Sequence, residues 1–202
     1  MNPFFILLGT IATLASCTAI AADYISNDDL KQLVKEKPIW CLNLDANGTC
    51  SSVTHYGLTK GNSIPVSEYV LSVSPTIHGK LRTSSTEVFS ESGLCMIFNE
   101  AYVKGLASFV TTNDFARITP DDQAFSEKGQ IEFNSKLMES IRPMFGKEYC
   151  GQFEIAKRDA SGSVSEIKGA FFLDDVQQPF PLALFTLFPE GSKDVRLRAL
   201  PQ

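Results

Sequence analysis

The sequence predicts an α+β fold: a single antiparallel, β-rich domain with two or three short helices, stapled by disulfides. Three observations support this prediction. Stretches in which apolar and polar residues alternate recur along the chain between turn-forming residues, as expected for antiparallel strands. Helix-start signals and helical spacing of apolar residues occur in only a few places. Four of the five cysteines lie within the proposed domain, residues 23–202.

The composition is that of an ordinary globular protein. Of the 202 residues, 44% are hydrophobic and 20% are charged, and the chain contains no internal repeat or low-complexity linker. The net charge is −5, and the largest basic group is Lys193, Arg196 and Arg198. Nucleic-acid binding depends on clustered Lys and Arg, so this charge balance argues against a nucleic-acid partner.

The first 22 residues have the features of a cleavable secretory signal peptide. They contain no charged side chain, and residues 4–14 form an almost unbroken apolar run. Small residues follow, with an A-x-A-like site at Ala19 and Ala21. The run is shorter than the roughly 20 apolar residues of a membrane-spanning helix. We therefore predict an exported protein, periplasmic or extracellular, with no transmembrane segment after leader removal.

A second processing route is open at Cys17. Residues 14–17 (Leu-Ala-Ser-Cys) resemble the lipobox of bacterial lipoproteins, in which the cysteine becomes the acylated N-terminus. Cys17 is therefore a candidate lipidation site that would anchor the protein to a membrane surface. Cleavage before Ala22 or Asp23 is favoured, because polarity begins abruptly at Asp23.

The remaining cysteines are Cys41, Cys50, Cys95 and Cys150. An even number in an exported protein predicts disulfides, and four cysteines allow three pairings. We favour Cys41–Cys50 and Cys95–Cys150, because the first two look like neighbours on one hairpin. Full pairing would also argue against a cysteine nucleophile, which needs a free thiol.

Two regions have helical signals. Residues 27–36 follow a capping Ser26, carry acidic residues first and lysines late, and stop before Pro38. Residues 119–122 (Thr-Pro-Asp-Asp) resemble a helix start, which Gly129 would break. An apolar stripe with four-residue spacing follows, and Pro143 should end or kink its helix: Phe133, Leu137, Ile141 and Phe145.

The other periodic segments read as strands. Residues 39–44 and 49–56 flank a turn, whereas residues 101–110 fit either a helix or a strand. The further predicted strands are 66–74, 77–89, 94–98, 151–156, 163–173, 182–188 and 195–200.

Candidate metal and nucleophile motifs are weak. Residues 43–48 match the opening of a calcium-binding EF-hand loop, but Thr54 stands where a bidentate Glu is needed. Ser165 and Lys168 form an S-x-x-K match within a predicted strand, where the two would lie on opposite faces. We predict a hairpin turn at the first site, no serine–lysine pair at the second, and no metal or cofactor.

The two histidines, His55 and His78, lie in predicted strands without a neighbouring metal or catalytic motif. They are nevertheless the natural candidates for a hydrolase site assembled from scattered residues. A deep pocket that brings either histidine together with a serine and a carboxylate would favour that function.

The most apolar part of the proposed domain comprises residues 170–173 and 179–188. Buried strands are the favoured interpretation, and a partner-binding surface is the alternative. Phe180 lies between two prolines, and this context disfavours a strand. It is therefore the best candidate for an exposed aromatic residue. Phe171 and Phe172 complete this candidate surface.

Three functional hypotheses follow. The leading one is an exported, non-enzymatic domain that binds another envelope or extracellular macromolecule, with no prediction of oligomeric state. The alternative is an exported hydrolase that uses His55 or His78. A small-ligand carrier is the third hypothesis, and a large closed apolar cavity would distinguish it.

Overall fold

The computed structural model describes residues 24–73, 78–178, 182–192 and 195–198. The predicted leader, Cys17 and Phe180 lie outside the described residues. None of the helices within the described part of the chain combines the length and the apolar character needed to span a membrane.

Three α-helices and thirteen strands are described. The helices are α1 (Asn27–Glu36), α2 (Glu100–Lys104) and α3 (Glu127–Ile141), which continues into a 3₁₀ turn (Arg142–Met144). The strands are β1 (Ile39–Leu42), β2 (Thr49–Cys50), β3 (Ser52–Tyr56), β4 (Ser63–Val73), β5 (His78–Ser90), β6 (Gly93–Ile97), β7 (Ala107–Val110), β8 (Gln123–Ala124), β9 (Glu148–Arg158), β10 (Val164–Leu173), β11 (Val176–Gln177), β12 (Ala183–Phe188) and β13 (Arg196–Leu197).

Eight of these strands close into an antiparallel barrel. Their order around the barrel is β1, β3, β4, β5, β6, β9, β10 and β12, and β12 pairs with β1 to complete the circle. The β-rich, antiparallel prediction is confirmed at this level. The closure was not predicted, because alternation identifies the residues that share a face of a strand but not whether the sheet meets itself.

One part of the barrel interior is a packed core covered by α1. Trp40, Phe153 and Phe185 belong to this core, and their rings lie within 6.0 Å of one another, centroid to centroid. The buried face of α1 adds three apolar side chains: Leu30, Leu33 and Val34. The helix has the predicted bounds, and the Ser26 hydroxyl accepts a hydrogen bond from the Asp29 N–H.

The barrel wall is split between β5 and β6. Strand β6 pairs with residues 88–90 of β5, whereas residues 79–82 of β5 pair with β7. Helix α2 lies at the split, where the Ser84 N–H donates to the Gly105 carbonyl. A Cβ atom on Gly105 would lie 2.0 Å from the Ser84 carbonyl oxygen, so only glycine allows this close approach.

A buried ion pair holds the segment after β7 against the outer face of β5. Lys80 Nζ lies 3.0 Å from Asp122 Oδ2, and both side chains are fully buried. Burial acts to raise the pKa of Asp122, but hydrogen bonds from Thr111, Thr119 and Lys80 outweigh it and lower that pKa. Residues 119–122 therefore form a turn rather than the predicted helix start, and α3 begins later, at Glu127, with Gly129 in its first turn.

Both predicted disulfides are present. Cys95 and Cys150 are register partners on β6 and β9, with Cα atoms 4.0 Å apart. The Cys41–Cys50 bridge does not join register partners, because Cys41 pairs with Val53 and Cys50 lies on β2, which leaves the barrel to pair with β13.

Removing the Cys95–Cys150 disulfide should destabilise the protein more than removing Cys41–Cys50. The bridges close segments of 55 and 9 residues, for which chain entropy gives about 4 and about 2.5 kcal/mol, respectively. Urea unfolding of the two paired Cys→Ala variants measures the difference. A larger loss for the Cys41–Cys50 variant would contradict the expectation.

Replacing Lys80 with methionine should lower the free energy of unfolding by about 3–5 kcal/mol, because Asp122 is left buried without its cation. The matched control is Lys104→Met, which removes an exposed pair with Glu100 and should cost at most about 0.5 kcal/mol. Urea unfolding at neutral pH tests both variants, and equal losses would show that the buried pair is unimportant.

Candidate functional site

A partly open cavity of about 370 Å³ adjoins the core of the barrel. Seven aromatic side chains of the described residues line it: Tyr56, Phe98, Tyr102, Tyr149, Phe153, Phe171 and Phe185. Leu42, Val66, Leu94 and Met96 supply most of the remaining apolar surface. The walls are thus mainly apolar and aromatic, as in typical small-molecule sites.

The lining follows directly from the period of two in the barrel strands. Ser52, Thr54 and Tyr56 alternate along β3, and Thr83, Ser85 and Glu87 alternate along β5. Glu68 on β4 stands opposite Thr54 and Thr83 in register. Tyr102 comes from α2 and therefore reaches the cavity at the split in the wall.

Two carboxyl groups face this cavity. Burial raises the pKa of Glu87 from its ordinary 4.5 to about 8, and the charge of nearby Glu68 adds to the rise. Burial also raises the pKa of Glu68, although a hydrogen bond with Ser52 opposes the effect. Glu87 therefore retains its proton at neutral pH and can act there as a hydrogen-bond donor.

The three cavity tyrosines are held neutral. Burial, reinforced by the charges of Glu68 and Glu87, raises the pKa of Tyr102 and of Tyr149 to about 12. The same causes raise the pKa of Tyr56 well above its ordinary value. Their hydroxyl groups therefore remain able both to donate and to accept hydrogen bonds across the alkaline range.

Phe171, assigned from the sequence to a candidate partner surface, lines this cavity. Its ring stacks on Tyr149 at 5.5 Å between centroids and with an interplanar angle of 4°. Phe172 is the next residue along β10 and is half-buried. Since Phe180 lies outside the described residues, the partner surface stays a prediction.

The cavity includes neither histidine among its described lining. His55 lies edge-on to Tyr69 and borders a surface groove that also contains Arg117. Burial lowers the pKa of His55, and a hydrogen bond with the Ala116 backbone partly opposes this. Asp28, Glu190 and Ser192 also line this groove, but His55 Nε2 has no hydrogen-bond partner within the described part of the chain, so no hydrogen bond joins that atom to a serine or a carboxylate. His78 begins β5, and its side chain lies outside the described residues.

The two weak motifs have structural roles. The Asp45 carboxylate accepts hydrogen bonds from the Thr49 N–H and hydroxyl and from the Asn47 N–H, which hold the loop and lower the pKa of Asp45. The Ser165 hydroxyl donates to the Lys157 carbonyl, and Lys168 is exposed. A hairpin loop and a strand contact thus account for both motifs.

Comparisons with protein-family models, with curated proteins and with solved structures found no match for this chain.

Glu68 and Glu87 were not recognised as site residues from the sequence, although a signal was present. Glu68 is in phase with Val66, and Glu87 is in phase with Phe89, so each acid falls on the apolar side of an alternating strand. A charged residue in that phase must face the core or a cavity.

Replacing Glu87 with glutamine should remove a pH dependence of stability. The pKa of Glu87 is raised on folding, so its contribution to stability is complete below its ordinary value of 4.5 and is lost as the pH rises through about 8. From about pH 5 to about pH 9, the wild-type free energy of unfolding should therefore fall by on the order of a few kcal/mol more than that of Glu87→Gln.

Urea unfolding across this pH range gives the measurement. Glu91→Gln is the matched control, because Glu91 is exposed in the turn between β5 and β6 and should follow the wild-type curve. Parallel curves for the wild type and Glu87→Gln would contradict the assignment of Glu87 to a desolvated site.

Proposed function

We propose that this protein is a binding protein that holds one compact small molecule inside its barrel. The observation that carries the proposal is the cavity of about 370 Å³ with aromatic walls and a few convergent polar groups. Ligand sites of folded proteins occupy about 300–1,000 Å³, so this volume suits a compact molecule rather than a long-chain one.

The size of the barrel supports this proposal. An eight-stranded barrel encloses a space that side chains can just fill or that can hold one small ligand. Here both situations occur, because the part covered by α1 is filled by core side chains, whereas small residues such as Ser52, Thr83 and Ser85 border the cavity.

The polar lining supports a specific rather than a general apolar site. Hydroxyl groups on β3 and β5 and the carboxyl groups of Glu68 and Glu87 can orient a ligand through hydrogen bonds. Since these groups stand on paired strands, their positions are fixed before a ligand arrives, which lowers the entropic cost of binding.

The proposed location is outside the cytoplasm. The two disulfides fit an oxidising compartment. The leader composition favours a soluble exported form, periplasmic or secreted, and anchoring through Cys17 remains the alternative. The hypotheses of a macromolecule-binding domain and of a hydrolase using His55 or His78 stay open, although no hydrogen bond joins His55 Nε2 to a serine or a carboxylate among the described residues.

Replacing Ser85 with phenylalanine should fill the cavity and weaken ligand binding at least tenfold. Thr86→Phe is the matched control, because Thr86 is the next residue on β5 and is exposed. Trp40 is the only tryptophan and lies 4.7 Å from Tyr56, ring centroid to centroid, so its fluorescence should report an occupant.

The experiment titrates the exported protein with a panel of compact aromatic and alicyclic compounds, and native mass spectrometry tests for a co-purified molecule. Saturable binding that Ser85→Phe loses and Thr86→Phe keeps supports the proposal. Equal binding by both variants, or no saturable binding by the wild type, would exclude the barrel interior as the site.

A further inference from the structure

The ionisable carboxyl groups of Glu68 and Glu87 are the charge-bearing groups among the described lining of the barrel cavity. No lysine, arginine or histidine is found among its described lining residues. No described residue donates a side-chain hydrogen bond to Glu87, and burial together with Glu68 favours its protonated form. The other titratable groups facing this pair are Tyr56, Tyr102 and Tyr149, whose hydroxyl groups are neutral.

Strand β5 contacts one buried carboxylate that has a cationic partner and carries another that has none among the described residues. On the outer face of this strand, Lys80 pairs with the fully buried Asp122 and supplies its counter-charge. On the inner face of the same strand, Glu87 has no such partner among the described residues. A buried carboxylate needs a cation or hydrogen-bond donors to stay ionised, and otherwise it keeps its proton.

The aromatic walls favour a cation as well. Seven aromatic side chains among the described residues line the same cavity as the two carboxyl groups, and aromatic faces attract organic cations when these are removed from water. The tyrosine hydroxyl groups offer acceptors for an N–H donor. An anionic ligand would meet two carboxyl groups and no basic residue among the described lining, which disfavours that class.

We propose that the ligand of the barrel is an organic cation, an amine or amidine on a compact apolar body, that takes the place of a proton at the Glu68–Glu87 pair. This inference rests on the proposed ligand-binding function and specifies its chemical class. Charge balances in the exchange: one ammonium or amidinium group enters the cavity, and the proton on a carboxyl oxygen leaves to solvent.

The exchange makes binding dependent on pH. A cation that displaces one proton should bind about tenfold more tightly for each pH unit of increase while the carboxyl group is protonated in the free protein. The effect should level off once the free protein has lost that proton. A neutral molecule of the same shape should show no such dependence.

Three probes of matched shape test the inference on the exported full-length protein: phenethylamine as the cation, phenethyl alcohol as the neutral analogue and hydrocinnamate as the anion. Trp40 fluorescence gives the affinity, and calorimetry in buffers of different ionisation enthalpy gives the number of protons released. We expect the amine to bind at least tenfold more tightly than the alcohol near pH 8, with affinity rising from about pH 6.

Glu87→Gln should abolish the preference for the amine and the proton release, whereas Glu91→Gln should keep both. Glu68→Gln provides a second test of the same pair if Glu87→Gln does not fold. Equal, pH-independent binding of amine and alcohol would overturn the inference while leaving the barrel as the binding site. No binding of any probe to the wild type would overturn the inference, and binding of the probes that Ser85→Phe leaves unchanged would overturn the proposed function as well.

Discussion

The pairing of β6 with β9 is the constraint on which the rest of the structure depends. All other neighbours around the barrel follow one another closely along the chain, except β12 and β1, which close the circle. Between β6 and β9 the chain runs for about fifty residues that include α2 and α3. The Cys95–Cys150 disulfide joins register partners on these two strands. Residues of both β6 and β9 line the cavity, so its shape depends on the pairing of these two strands. Without the disulfide, closing the long loop between them has a high entropic cost.

Local features of the fold were predictable from the sequence because their causes lie within a few residues. Helix α1 has its cap, its charge pattern and its terminating Pro38 within one short segment. The strands were predictable because apolar and polar residues alternate along them. The prediction of a helix start at residues 119–122 was wrong because Asp122 pairs with Lys80, which lies 42 residues away along the chain. An acidic residue after proline has the same local signature whether it faces a helix N-terminus or a buried lysine.

The candidate site was less accessible to sequence reasoning than the fold. Catalytic and metal motifs are recognised by spacing along the chain, whereas the residues around this cavity come from strands distributed around the barrel and from α2. Phe171 was identified from the sequence as part of an apolar candidate surface. Its place in the lining of the cavity could not be predicted without knowing that the sheet closes into a barrel. The position of Glu68 and Glu87 in the apolar–polar alternation of their strands could have identified them as inward-facing acids. It does not show that the two carboxyl groups face the same cavity.

The split between β5 and β6 has a consequence for local opening of the barrel wall. Elsewhere the wall beside the cavity consists of paired strands, so a passage through it requires the rupture of several ladder hydrogen bonds. At the split, a five-residue helix completes the wall through the Ser84–Gly105 hydrogen bond and the packing of Tyr102. Local opening there leaves the rest of the barrel intact and has a lower free-energy cost. For the ligand proposed above, the segment at α2 is therefore the part of the wall that can open without unfolding of the whole protein.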